Sequence, residues 1–71
     1  MPKLYSSVEI LKALQKHGFS FISQNGSHVK YRKTGNKTLT VIIPADRKQI
    51  PAGTFHSIVK QSGLSKEDFE R

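Results

Sequence analysis

Apolar residues recur with helical spacing near the start of the chain. Between Ser6 and Gly18, Leu11 and Leu14 share a stripe flanked by Val8 and Ile10, and Glu9, Lys12 and Lys16 fall on the opposite side. Ser6 followed by Glu9 has capping-box spacing, in which each side chain satisfies a backbone N–H at the helix start. Gly18 supplies the stop, because glycine takes the left-handed backbone at low cost. From Phe19 the period shortens to two. Phe19, Phe21 and Ser23 are expected on one side of a strand and Ser20, Ile22 and Gln24 on the other, with Asn25-Gly26 as a two-residue hairpin turn. His28 to Lys33 reads as the returning strand: Val29 and Tyr31 share one face, so His28, Lys30 and Arg32 share the other. A turn over Thr34 to Lys37 leads into a β-branched third strand from Thr38 to Ile43, which ends at Pro44.

Helical spacing returns after a polar loop from Ala45 to Gln49. Pro51 suits a first turn, Phe55, Ile58, Val59 and Ser62 form one face with His56 and Lys60 opposite, and Gly63 ends the helix. Ser65 with Asp68, followed by Phe69 as an apolar anchor, predicts a short terminal helical turn. The order helix, three strands, helix gives an α+β fold. It is expected to be a two-layer sandwich, a three-stranded antiparallel sheet with both helices on one face and the other face wet.

Length and charge narrow the function. With 71 residues the chain has material for one core, so residues 1–71 are expected to form a single domain, and a multidomain enzyme is excluded. Lys and Arg number 12 against 5 Asp and Glu, a formal charge of +7. Residues 28–48 hold most of that excess, because Lys30, Arg32, Lys33, Lys37, Arg47 and Lys48 face only Asp46 there. A focused basic patch attracts polyanions, nucleic acid foremost, although the same lysines would also keep a small protein soluble. Cysteine is absent, which removes disulfides and thiolate chemistry and makes a reducing, cytoplasmic compartment the simpler expectation. No apolar run reaches the roughly 18 residues of a membrane span, and no signal-peptide core is apparent, so no membrane partner is expected.

Three histidines are candidates for chemistry. None stands at metal-ligand spacing from another, so neither a metal nor another cofactor is expected. His17, in the last turn of the first helix, reads as structural, and His56 beside Lys60 reads as a solvated face. His28 differs because it follows Gly26 and Ser27 and shares a strand face with Lys30 and Arg32. An imidazole there can contact a polyanion passively or take a proton from a hydroxyl held within hydrogen-bond reach. No paired carboxylates, phosphate-cradling glycine loop or linked Ser, His and Asp accompany it. One base and a few cations suffice for RNA transesterification, since RNA supplies its own 2′-hydroxyl nucleophile.

The run Gln24-Asn-Gly-Ser-His28-Val-Lys-Tyr31-Arg32, then Val41-Ile-Ile-Pro44, then Gly53-Thr54 and Ser57-Ile-Val-Lys-Gln61-Ser-Gly-Leu64-Ser65, preceded by Leu11-Lys-Ala-Leu14 and Lys16-His-Gly-Phe19, resembles the HicA-type toxins of toxin–antitoxin modules. The similarity runs over nearly the whole chain. It implies an α-β-β-β-α fold similar to double-stranded RNA-binding domains (dsRBD-like), and an mRNA interferase that arrests translation and growth until a HicB-type antitoxin neutralises it. The essential histidine of the family's Gly-Ser-His motif falls on His28, with Gly26 and Ser27 presenting it. Many members carry a further histidine shortly after the proline ending the third strand, whereas here Ala45-Asp46 follow Pro44. His28 is thus left to work with Lys30 and Arg32, or with Ser27 and a backbone N–H.

The expectation is a metal-independent endoribonuclease. Lys30 and Arg32 would hold the scissile phosphate, while Lys33, Lys37, Arg47 and Lys48 follow the RNA backbone. Tyr31 could stack a base, but its strand parity favours the core. The antitoxin is expected to be acidic at its contact and to cover the His28 face. The alternative is a non-catalytic RNA-binding module of dsRBD type. Such domains place lysines at the start of their last helix, and no lysine stands between Pro51 and Lys60.

Overall fold

Ser6 caps the first helix in the way its spacing from Glu9 predicts. In the computed structural model, which describes residues 4–70, helix α1 spans Ser7–Lys16. The Glu9 N–H donates to Ser6 Oγ at 3.2 Å and the Ser6 N–H donates to Glu9 Oε1 at 2.9 Å. At the other end the N–H of Phe19 reaches Leu14 O at 2.9 Å and that of Gly18 reaches Gln15 O at 3.1 Å. This paired reversal needs Gly18 at its φ of +94°. The charges of Lys3 and Arg71 lie outside the described residues.

The buried stripe of α1 is rotated from the one the leucines suggest. Ser7, Ile10, Ala13 and Leu14 are buried, Leu11 is half-buried and Val8 is 60% exposed. A serine occupies the core side because its hydroxyl has partners there: Ser7 Oγ donates to Pro44 O at 2.6 Å and accepts from the Arg47 N–H at 2.9 Å.

The sheet is antiparallel in the order β1 (Ser20–Asn25), β2 (His28–Lys33), β3 (Leu39–Pro44). Asn25 pairs with His28, so the hairpin turn is Gly26-Ser27 and not Asn25-Gly26. Gly26 has φ +61° and Ser27 keeps a negative φ, which is the primed turn that places glycine first. β1 also breaks the predicted alternation. The register slips between Phe21 and Ser23, so Ile22 is a bulge, and Phe21 opposes Tyr31 while Ser23 opposes Lys30. One extra residue moves Ser23 to the face opposite Phe21. Every residue of β1 is exposed.

On β2 the predicted parity holds: Val29 and Tyr31 are buried, His28 is exposed, and Lys30 and Arg32 are half-buried. The helix-facing side joins Val29, Tyr31, Val41 and Ile43 to Ile10 and Leu14 of α1 and to Ile58 of α2 (Ala52–Ser62) in one apolar core. Tyr31 also accepts a hydrogen bond from Gln15 Nε2 at 3.2 Å, so it is a core residue and not a stacking platform.

Gly63 closes α2 in the left-handed conformation, and Ser65 caps a single 3₁₀ turn, η1 (Lys66–Phe69), through Asp68. Phe55 stacks on Tyr5 at 4.9 Å and meets Phe69 edge-on at 5.4 Å. These rings tie both chain ends to α2. Helix α2 lies along the outer edge of β3, where Gln61 Oε1 accepts the Ile42 N–H at 3.2 Å. The helix thereby covers an edge that would otherwise present free backbone groups.

Candidate active site

Cross-strand register fixes which residues share the face away from the core. His28 opposes Pro44, Lys30 opposes Ile42 and Arg32 opposes Thr40, so these six share the outer face. At the His28 end, the chain leaving β3 turns sharply through Asp46, the one non-glycine residue at positive φ among those described (φ 55°). An L-residue there costs about 1 kcal/mol, and asparagine and aspartate tolerate it best. Hydrogen bonds on both sides hold the strained residue. The Ala45 N–H donates to Ser27 O at 2.7 Å, and the Ser7 N–H donates to Arg47 O at 2.9 Å in addition to the two bonds of the Ser7 hydroxyl. The Gly26-Ser27 turn, the loop after β3 and the start of α1 therefore form one fastened corner.

That corner borders an open cleft of about 400 Å³ on the outer face. His28 and Arg47 line one side of it, and Thr54, Ser57 and Gln61 of α2 line another. Ile42 and Pro44 of the sheet face also border it. Among the described residues, no carboxylate borders the cleft. Its lining residues bring an imidazole and a guanidinium shaped for phosphate to its border, next to uncharged hydrogen-bonding groups.

The other cations predicted from sequence fall at graded distances from this point. Lys30 and Arg32 share the face of His28 but stand about 7 and 13 Å along the strand, at ~3.3 Å per residue. Neither borders the cleft, and Arg32 Nε donates to Thr40 Oγ1 at 3.1 Å. Lys33 has the opposite parity. Its Nζ lies 3.8 Å from where a Cβ on Gly18 would stand, above the end of α1, whose free carbonyls attract a cation. Lys37 is in the loop at the far end of the β2–β3 hairpin, and Lys48 is exposed in the loop after Arg47. The fold thus brings Arg47 to His28, leaves Lys30 and Arg32 along the same face, and sends Lys33 to the other.

Thr54, Ser57 and Gln61 join the cleft although none is among the site residues expected from the sequence. Their spacing i, i+3, i+7 puts them on one strip of a helix, which was the available signal. The other histidines lie elsewhere. His17 Nε2 is 3.9 Å from Asp68 Oδ1 and joins the end of α1 to η1. His56 borders a separate cavity of about 390 Å³ lined by Leu4, Tyr5, Phe55 and Val59. That cavity is more apolar and holds none of the predicted site residues.

The cleft's histidine is the one in the Gly-Ser-His motif, and a family comparison covers the segment that builds it. The model of the HicA toxin of bacterial toxin–antitoxin systems matches residues 7–64. The chain belongs to the HicA toxin family. No curated protein matches it significantly. The matched segment runs from Ser7, which fastens the corner, through all three strands to the end of α2. Membership makes this chain a toxin of a toxin–antitoxin system, and HicA toxins pair with HicB antitoxins. Among the described residues, no helix of this HicA chain is long and apolar enough to cross a membrane.

Proposed function

We propose that this toxin is a metal-independent endoribonuclease that cleaves mRNA in the cytoplasm and so arrests translation and growth, with His28 as the general base. The observation that carries this reading is the convergence of His28 and Arg47 on one open cleft without a carboxylate. A hydrolytic Mg²⁺ site would draw on carboxylates, and RNA transesterification does not require one. His28 takes the proton of a 2′-hydroxyl, and the freed oxygen attacks the adjacent phosphorus. The Arg47 guanidinium offsets the charge that builds on the phosphoryl oxygens. The 5′-oxygen leaves with a proton from His28 or water, giving a 2′,3′-cyclic phosphate and a 5′-hydroxyl. Gly26 and Ser27 hold the imidazole at the strand start, and Lys30, Arg32, Lys37 and Lys48 offer cations to RNA beyond the cut.

Purified protein incubated with single-stranded RNA in EDTA is expected to shorten the RNA. His28→Ala should abolish that cleavage and the growth arrest while the circular dichroism spectrum and melting temperature stay unchanged, because the side chain is exposed. An RNA band that shifts without shortening would identify a binding module, and an H28A protein that still cuts would remove His28 from the mechanism. The HicB antitoxin is proposed to place an acidic surface over the His28 cleft. Complex formation should then block cleavage, and a complex that still admits RNA to His28 would contradict this.

A further inference from the structure

Gln61 belongs to a motif that the reaction above does not use, and its amide is oriented by the fold. Its Oε1 accepts the Ile42 N–H at the outer edge of β3. A carboxamide has one oxygen and one NH₂ group, so fixing the oxygen on the strand directs the nitrogen's donors away from it. Gln61 lines the cleft that holds His28 and Arg47. Ser57 and Thr54 continue the same strip of α2 and also line the cleft, and Ser57 Oγ spends its proton on Gly53 O at 3.3 Å, which leaves the hydroxyl to act as an acceptor. Ile42, 37% exposed, presents apolar surface beside them. The cleft thus has a charged side suited to phosphate and an uncharged side suited to a base edge. Its volume of about 400 Å³ is that of a small-ligand pocket. Single-stranded RNA is read through splayed bases hydrogen-bonded on their edges, which is what such a side offers.

We infer that Gln61 is a specificity-determining residue, whose side-chain NH₂ donates to a base carbonyl next to the cut and so favours guanine or uracil over adenine or cytosine there. This rests on the endoribonuclease reading. Guanine O6 and uracil O4 accept a hydrogen bond where adenine N6 and cytosine N4 donate one. A single neutral hydrogen bond supports a preference of about three- to tenfold.

The test is to digest a pool of random single-stranded RNA with wild-type protein, Gln61→Glu and Gln61→Met, and to sequence the new 5′ ends. Wild type is expected to show a guanine or uracil bias of that size at one position beside the cut. Gln61→Glu keeps an oxygen for the Ile42 N–H and replaces the donor with an acceptor, so the bias should move toward adenine and cytosine. Gln61→Met removes the donor without adding charge and should flatten the bias while cutting persists. Wild-type cutting with a base distribution that Gln61→Met leaves unchanged overturns the inference alone, even where Gln61→Glu is inactive. A wild-type protein that cuts no RNA overturns the endoribonuclease reading, and this inference with it.

Discussion

His28 owes its position to backbone contacts on either side of it, since its own side chain is exposed and packs little. The turn before it is set by Gly26, and the carbonyl of Ser27 accepts from Ala45 at 2.7 Å, so the strand start is pinned to the loop that delivers Arg47. The cations therefore differ in what they can do. Arg47 borders the cleft, whereas Lys30 and Arg32 lie farther along the sheet and Arg32 is engaged with Thr40. In the proposed reaction, Arg47 meets charge that develops in the transition state, and Lys30 and Arg32 meet charge already present in bound RNA. Groups of the first kind raise kcat and those of the second lower KM. Arg47→Ala is accordingly expected to lower kcat on the order of 100-fold, the scale for losing one transition-state donor. Lys30→Ala should raise KM by less than about tenfold with kcat nearly unchanged, since an ion contact at the surface contributes about 1 kcal/mol. Single-turnover and steady-state cleavage of one defined RNA by both variants checks this, and equal kcat losses would put Arg47 on the same footing as Lys30.

At the scale of elements, α1 contributes more than core to the site. Ser7 is 2% exposed, and its backbone and hydroxyl hold the loop after β3 from the far side of that loop. Ser7→Ala strips partners from Pro44 O and the Arg47 N–H. Leaving such groups unpaired in a buried place costs about 1–3 kcal/mol each where water cannot reach them. A lower melting temperature is expected from that alone, so the informative readout is a double-mutant cycle on cleavage rate, measured well below the transition. Ser7→Ala should slow the wild-type enzyme and add no further loss to Arg47→Ala, because the arginine through which it acts is gone. Losses that multiply would show that Ser7 supports the fold without placing Arg47. The corner also shows where the sequence runs out. Capping at Ser6, the β2 parity that puts His28 with Lys30 and Arg32, and the stop at Gly63 depend on neighbours within a few residues and were legible. The meeting of Arg47 with His28 depends on bonds between residues about 40 apart, and Asp46 at φ 55° has no sequence signature of the strength a glycine carries. The bulge at Ile22 escaped for a related reason, since β1 is exposed throughout and its residues give little periodicity against which a slipped register could be noticed.

For the whole molecule, the net charge of +7 acts through its distribution over the two faces of the sheet. Arg47, Lys30 and Arg32 share the outer face or its edge with His28, while Lys33 is on the helix-covered side near Gly18. On the proposed reading, both single-stranded RNA and an acidic antitoxin are drawn to the outer face by long-range attraction, and each excludes the other. Binding through a few phosphates carries a defined salt signature. For single strands the slope of log K against log salt is about −0.7 per phosphate neutralised, so the five cations assigned to RNA, Arg47, Lys30, Arg32, Lys37 and Lys48, predict a slope of roughly −3.5. Measured on the H28A protein, which should bind without cutting, Arg47→Ala is expected to bring the slope closer to zero by about 0.7. Lys33→Ala should leave it unchanged even though it removes the same formal charge. If both substitutions shift the slope equally, RNA responds to net charge and not to the face, and the outer surface loses its claim to be the binding site. The same pair separates the antitoxin's contact in the same way. An antitoxin that covers the cleft should associate more slowly with the Arg47→Ala toxin and at the same rate with the Lys33→Ala toxin, and a reversal of that order would place its footprint on the helix side.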